Sequence, residues 1–141
     1  MEREREETGL GIASFHTVLY CRKWAASVSF YRDVLGLTVS FENPLFVELR
    51  AASEARIGLL DASRTRYPDV EPKGVLLSFR VADVDKAHAW LRTKAVRLSD
   101  VKEHPWGARL FELEDPDGRR IELWAPAPPP SASDGTLGST G

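Results

Sequence analysis

The chain repeats a pattern of one strand followed by one helix, and this internal repeat limits its possible folds more than any other feature. Residues 14–20 mix β-branched and aromatic side chains with polar ones, which is typical of a strand. Apolar residues at helical spacing follow, and the same order returns at an offset of 60, beginning with a strand-like segment at 74–81. A repeat of this kind predicts two copies of one supersecondary unit.

The first predicted helix has a single apolar face. Val28, Tyr31, Val34 and Leu35 recur at the spacing of a helix that buries one side. Gly36 follows directly and fits the left-handed residue that ends many helices. The sequence therefore predicts a helix that ends at Gly36.

The second helix and the later strands continue the repeat. Ala87, Trp90 and Leu91 form the apolar face of the second helix, so that Trp90 corresponds to Phe30. Strands at 46–49 and 56–60 return at an offset of 64 as 110–113 and 120–124, and further strands are predicted at 38–42 and 97–102.

Each half thus contains a strand, a helix and three more strands. We expect an α+β fold of two paired βαβββ modules, whose curved sheets enclose a cleft. The two ends of the chain lack apolar anchors and are expected to be disordered. The predicted bounds are a single domain at 10–126, with module one at 10–62, a linker at 63–73 and module two at 74–126, and disordered ends at 1–9 and 127–141.

Strand side chains alternate between the two faces of a sheet, so parity predicts which of them face the cleft. Val75, Leu77, Phe79 and Val81 form an apolar set that should lie under the helix. The other parity then gives the cleft residues, and the alternative is that these polar side chains form only a solvated sheet face. The predicted cleft residues are His16, Val18, Tyr20, Phe46, Glu48, Arg50, Arg56, Gly58, Leu60, Leu76, Ser78, Arg80, Glu112, Arg120, Glu122 and Trp124.

Composition and charge exclude several partners. A net charge of −2 with interspersed acids and bases gives no electrostatic surface for nucleic acid or for anionic lipid. No apolar run is long enough to span a membrane, and the charged first residues do not resemble a secretory signal. Cys21 is the only cysteine, which fits a reducing compartment. We expect a cytoplasmic protein with no nucleic-acid or membrane partner.

Several segments carry a family resemblance. The repeat resembles the vicinal-oxygen-chelate superfamily, which includes glyoxalases, bleomycin-resistance proteins and dioxygenases. The resemblance covers nearly all of the expected folded region and implies the paired βαβββ fold, and many relatives form homodimers. It is carried by residues 15–20 (FHTVLY), 29–37 (SFYRDVLGL), 78–85 (SFRVADVD), 105–109 (PWGAR) and 115–123 (DPDGRRIEL).

The resemblance also implies four symmetric positions for metal ligands. His16 and Glu122 match two of them, whereas Leu76 and Gly58 stand at the other two and have no donor atoms. Two protein ligands are too few for a tight zinc or iron site. No cofactor is therefore favoured, and a divalent metal held by His16 and Glu122 is the alternative.

The segment at 105–109 is most similar to the bleomycin-resistance-like branch, whose members bind ligands without a metal or a reaction. Aromatic surfaces and arginines suit a planar ligand that has carbonyl or carboxylate groups. The alternative for Trp106 is a role in packing. The predicted ligand-binding residues are His16, Tyr20, Phe46, Arg50, Arg56, Arg80, Trp106, Arg109, Glu122 and Trp124.

Three functions stay open at this point. The first is binding, or sequestration, of a medium-sized and partly aromatic molecule such as a drug or a secondary metabolite, as in antibiotic resistance. The second is a lyase, isomerase or dioxygenase in which His16, Glu122 or Glu112 is catalytic, with or without a divalent metal. The third is a structural dimer whose cleft has no function.

Overall fold

The computed structural model describes residues 9–128 and divides into two compact units that meet between Pro72 and Lys73. The predictions of disorder at 1–8 and 129–141 lie outside the described residues. No helix in the described part of the chain has the length and apolar character needed to cross a membrane.

Unit one is an open four-stranded sheet with one helical segment on one face. The strand order is β1-β4-β3-β2, with β1 parallel to β4 and the other neighbours antiparallel. Leu19, Leu49 and Leu59 are buried beneath the helical segment. The elements are β1 (Thr17–Cys21), α1 (Trp24–Ser29) continued by a π-helical turn (Phe30–Val34), β2 (Thr38–Asn43), β3 (Phe46–Ala52), β4 (Ala55–Asp61) and a short 3-10 turn (Ala62–Arg64).

Unit two repeats this topology. The strand order is β5-β8-β7-β6, again with the first strand parallel to its neighbour and the others antiparallel. Phe111, Ile121 and Leu91 are buried between the sheet and its helix. The elements are β5 (Leu76–Arg80), α2 (Val84–Arg92), β6 (Lys102–His104), β7 (Ala108–Glu114) and β8 (Arg120–Pro126).

The strand registers agree with both sequence offsets. Thr17 pairs with Ile57 in unit one, and Leu77 pairs with Ile121 in unit two. Leu77 lies 60 residues after Thr17, and Ile121 lies 64 residues after Ile57. The predicted fold of two βαβββ modules is confirmed at the level of these two sheets.

The first helix ends as predicted but is wound differently. The amide of Leu35 donates to the carbonyl of Phe30 at 2.9 Å, five residues back, which is the bond of a π-helix. Gly36 has a φ of 78°, so it is the left-handed residue that the sequence predicts. Phe30 and Tyr31 are buried, with rings edge to face at 5.2 Å.

Two local predictions need correction. Trp90 corresponds to Phe30 in sequence but is 45% exposed, because Leu91 fills the buried position of α2 and Trp90 lies beside Lys94 at 4.6 Å. The strand predicted at 97–102 starts only at Lys102. Before it, the Ser99 amide donates to the Glu112 carbonyl at 2.9 Å, but the Glu112 amide donates to the Ser99 side chain at 2.8 Å, so one bond of a regular ladder pair is made by a side chain.

A buried charge pair holds the turn between β7 and β8. Asp115 accepts the amides of Asp117 and Arg119, each at 2.9 Å, and pairs with the Arg119 guanidinium at 2.6 Å. Gly118 supplies the positive φ, 91°, that this turn requires. The turn fixes the alignment of β7 with β8, and hence the positions of their polar side chains.

Candidate functional site

The polar side chains of interest lie on the sheet face of each unit that is turned away from its helix, which we call the far face. In unit one, the registers pair Glu48 with Gly58 and Phe46 with Leu60, and partners share a face. In unit two they pair Glu112 and Ser78 with Glu122. The predicted parity is therefore observed within each sheet.

The position of Gly58 is filled by an aromatic ring. A Cβ atom placed on Gly58 would lie 2.6 Å from both Cε1 and Cζ of Phe46, and 3.4 Å from a methyl carbon of Val18. Such distances are too short for any side chain unless the ring moves. The ring of Phe46 thus occupies the space that a metal-ligating side chain at position 58 would need.

A cavity of about 580 Å³ lies in unit one. His16, Glu48 and Arg56 line it together with the extended segment at 13–15 and with Glu54. Glu48 accepts a hydrogen bond from Ser40 at 2.8 Å and lies 3.7 Å from Arg56. His16 is exposed, so the first predicted metal ligand borders an open cavity.

Two aromatic pairs extend the far face of unit one. Tyr20 contacts Tyr67 edge to face at 5.8 Å, and Phe41 lies 6.3 Å from Phe46. Sequence reasoning missed Tyr67 and Phe41. A bulge after Val39 shifts the register so that Phe41 pairs with Glu48, and strict alternation along β2 could not reveal this.

The far face of unit two carries two neighbouring carboxylates. Glu122 and Glu112 are direct cross-strand partners. Ser78 donates to Glu122 at 2.5 Å, and Arg120 donates to Glu112 at 2.8 Å. The hydrogen bond to Glu112, followed by the charge of that carboxylate, raises the pKa of Arg120 above its ordinary value. Each carboxylate therefore has its own donor.

Arg80 and Trp124 lie together at the other end of this face. They are cross-strand partners, and the guanidinium carbon of Arg80 is 5.4 Å from the centre of the Trp124 ring. This is the distance of a cation–π contact. The structure thus brings two of the predicted ligand residues into direct contact.

Arg109 lies on the opposite face from the other predicted ligand residues of unit two. It pairs with Asp85 of α2 at 2.9 Å and with Glu103 at 3.5 Å. The hydrogen bond to Asp85 is the main cause that raises the pKa of Arg109. Position 109 has the parity of the helix-covered face, and the predicted role of Arg109 in ligand binding stays a prediction.

Trp106 and Arg50 are exposed, and they lie in different units. Trp106 belongs to the turn before β7, is 66% exposed and lies 5.7 Å from the ring of His104. Gly107 next to it has a φ of 98°, which permits this tight turn. Arg50 lies on β3 opposite Arg56. The predicted roles of Trp106 and Arg50 in ligand binding stay predictions.

The donor atoms do not fit the metal site that the resemblance implies. Leu76 and Gly58 offer none, and the Phe46 ring blocks position 58. Within residues 9–128 no group of three His, Cys, Asp or Glu side chains could hold a metal ion. A zinc or non-haem iron centre needs at least three protein ligands.

Two four-stranded sheets of repeated topology, each with its own polar and aromatic far face, define a paired βαβββ protein. Residues 14–123 match the model of the Glyoxalase/Bleomycin resistance protein/Dioxygenase superfamily, and the chain belongs to this superfamily. The uncharacterized protein YraH of Bacillus subtilis (strain 168) is 36% identical over 113 residues, which is 70% of this chain and 86% of that protein.

Solved structures of differing function share the fold. TnmS3, an antibiotic-binding protein from Streptomyces sp. CB03234, has a TM-score of 0.66 and 25% identity, over 82% of this chain and 98% of that one. Lactoylglutathione lyase from Agrobacterium tumefaciens has a TM-score of 0.65 and 21% identity, over 81% of this chain and 94% of that one. Since both a binding protein and an enzyme are similar, the specific function has to be argued from the residues.

Proposed function

We propose that this protein binds a medium-sized, partly aromatic small molecule, such as a drug or a secondary metabolite, without a metal. The observation that carries the proposal is the Phe46 ring over Gly58. It replaces a metal ligand with an apolar aromatic surface. The likeness to the antibiotic-binding TnmS3 supports the same conclusion.

The far faces offer the contacts that such a ligand needs. In unit one, Tyr20 and Phe46 supply aromatic surface. In unit two, Trp124 supplies it, and Arg80 has a guanidinium with no carboxylate partner among the described residues. Binding sites for small organic molecules typically combine apolar surface with a few such polar groups.

Two measurements test the proposal. Protein purified without chelator should contain less than about a tenth of an equivalent of zinc, iron, nickel or manganese, since two donors hold these ions weakly. Titration with a panel of planar drugs and glycosylated metabolites should change the tryptophan fluorescence. The control is Trp24→Phe, which should keep the response, because Trp24 begins α1, donates to the Leu59 carbonyl at 2.8 Å and should not report on a far-face ligand. A stoichiometric metal, or no fluorescence response to any compound, would contradict the proposal.

A second candidate is an enzyme that uses Glu122, with His16 or Glu112, in proton transfer. The observation that favours it is the pair of adjacent carboxylates in which Glu112 is held by Arg120 and Glu122 by a neutral serine. Glu122, whose hydrogen-bond donor is uncharged, is the carboxylate suited to act as a general base. The test is the rate of thioester formation from methylglyoxal and glutathione. A rate that is lost in Glu122→Gln would support the enzyme, and a wild-type rate no higher than in buffer would oppose it.

We also propose that the protein acts as a cytoplasmic homodimer. Phe15, Val75 and Leu76 are large apolar side chains that are 81%, 47% and 44% exposed. Large exposed apolar side chains of this kind are candidates for an interface with a second chain. Cys21 is buried and forms no disulfide, which suits a reducing compartment. Sedimentation equilibrium should give the mass of two chains, and Leu76→Glu should favour the monomer, whereas a monomer at all concentrations would contradict the dimer.

A further inference from the structure

The far face of unit two is divided into an acidic part and a cationic part. Cross-strand partners lie on one face, so the registers define rows that run across the sheet. One row contains Ser78, Glu122 and Glu112, on β5, β8 and β7. The adjacent row contains Arg80, Trp124, Leu110 and Lys102, on β5, β8, β7 and β6.

The two cations of this second row differ from the other far-face and strand arginines of unit two in forming no ion pair with the described residues. Arg80 contacts the Trp124 ring, and neither Arg80 nor Lys102 forms an ion pair with any described residue. By contrast, Arg109 and Arg120 each pair with a carboxylate. Three strand spacings separate Arg80 from Lys102, or about 14 Å. Trp124 supplies apolar surface beside Arg80, whereas Leu110 is only 5% exposed.

The row borders a cavity of about 250 Å³. Lys102, His104 and Leu110 line it with Ser99, Asp100 and Glu112. His104 pairs with Ala108 in the ladder, so it shares the far face with Leu110, and its ring lies 5.7 Å from Trp106. An aromatic group could therefore contact apolar side chains while it remains close to a cation.

We propose that this row binds an aromatic carboxylate, an inference that rests on the binding function proposed above. The ring lies on Trp124, and the carboxylate accepts hydrogen bonds from Arg80. Arg80 lies over the Trp124 ring and forms no ion pair with a described residue, so its N–H groups are available for a bidentate bond. Lys102 binds a second oxygen at the other end of the ligand.

The acidic row sets the orientation of this ligand. Glu122 lies next to Trp124 on the same face, two residues before it on β8. A carboxylate turned toward Glu122 and Glu112 would meet two negative charges, which disfavours that orientation. The anionic end therefore lies at Arg80.

Calorimetric titration of the full chain with 2-naphthoate and with 2-naphthamide tests the inference. The two probes share the ring and differ in charge. We expect 2-naphthoate to bind about tenfold more tightly, the effect of one charged hydrogen-bonded pair. Arg80→Gln should abolish this preference, whereas Lys102→Gln should leave it unchanged, because 2-naphthoate carries no oxygen at the Lys102 end. Lys86→Gln, a control that removes an exposed cation on α2, should leave both affinities unchanged.

Two substitutions of Trp124 distinguish a lost ring contact with the ligand from a loss of folding. Trp124→Leu should weaken both probes, and Trp124→Phe, which keeps an aromatic ring, should restore part of the affinity. Equal affinity of wild-type protein for the two probes, or a preference that survives in Arg80→Gln, overturns the inference. If neutral or cationic aromatic compounds bind while 2-naphthoate does not, the inference fails and the proposed function stands. If no aromatic compound binds at all, both fail.

Discussion

The ring of Phe46 lies over Gly58, so close that a Cβ atom on the glycine would be 2.6 Å from two ring carbons. Phe46 is on β3 and pairs with Leu60 of β4. Gly58 lies two residues before Leu60 on β4, so it is the diagonal neighbour of Phe46 on the same face. The absence of a side chain at position 58 allows the ring to lie flat on the sheet. The same contact removes the space for a metal ligand.

Gly58→Ala is expected to destabilise the protein, because the new methyl group forces the Phe46 ring out of its position. Overpacking of this kind costs about 1–3 kcal/mol. Urea unfolding of the single variant, of Phe46→Ala and of the double variant measures the coupling, and the alanine at 58 should cost less when the ring is absent. Gly9→Ala is the control, since no atom lies within 4 Å of a Cβ atom there. If Gly58→Ala lowered the free energy of unfolding equally in the wild-type protein and in Phe46→Ala, the contact with the ring would be unimportant.

Asp115→Asn should destabilise the protein strongly. The substitution keeps an oxygen for the amides of Asp117 and Arg119 but leaves the Arg119 guanidinium, whose side chain is 4% exposed, without its charge partner. Breaking a buried pair in this way costs about 3–5 kcal/mol. Thermal or urea unfolding measures the loss, and Glu114→Gln, at the exposed neighbouring position, should change little. A loss below about 1 kcal/mol would mean that the pair contributes less than its burial indicates.

Arg109→Gln should leave ligand affinity unchanged, in contrast to Arg80→Gln. Arg109 is on the helix-covered face and is paired with Asp85, whereas Arg80 is on the far face beside Trp124. Titration of both variants with 2-naphthoate measures the difference. If Arg109→Gln weakens binding while its unfolding transition is unchanged, the ligand contacts the helix-covered face instead.

The ion pairs of Arg109 and Arg120 should not make stability vary with pH in the neutral and mildly alkaline range. Hydrogen bonds to Asp85 and Glu112 raise the pKa of each arginine in the folded state. A raised pKa gives a stabilisation that is fully present below the unfolded value and is lost only as the pH rises through the folded value. Both folded-state pKa values lie above the ordinary arginine pKa, which is itself far above the neutral range.

The test compares the urea midpoints of the wild-type protein and of Arg109→Gln at about pH 7 and about pH 10, a range in which arginine remains charged. The difference between the two proteins should be the same at both pH values. A difference that shrinks at the higher pH would indicate that another group, and not the arginine pair, is responsible.

Most of the architecture could be predicted from residue spacing. The offsets of 60 and 64 agree with the ladders of Thr17 with Ile57 and of Leu77 with Ile121. Strand parity also placed Glu122 and Trp124 on one face, because alternation is a property of the backbone alone. Features that interrupt a regular backbone were missed. The bulge after Val39 moved Phe41 to the far face, and the Ser99 side chain replaced a ladder bond and shortened the strand before β7.

The sequence by itself determined the two modules, the faces of their strands and the loss of donor atoms at Leu76 and Gly58. Periodicity and residue chemistry are local, so they can be read along the chain. Only the tertiary structure decided that Phe46 fills the space above Gly58, that Arg109 turns to α2, and that Arg80 and Lys102 share a row with Trp124. These facts depend on register and packing between strands distant in sequence, which no local pattern encodes.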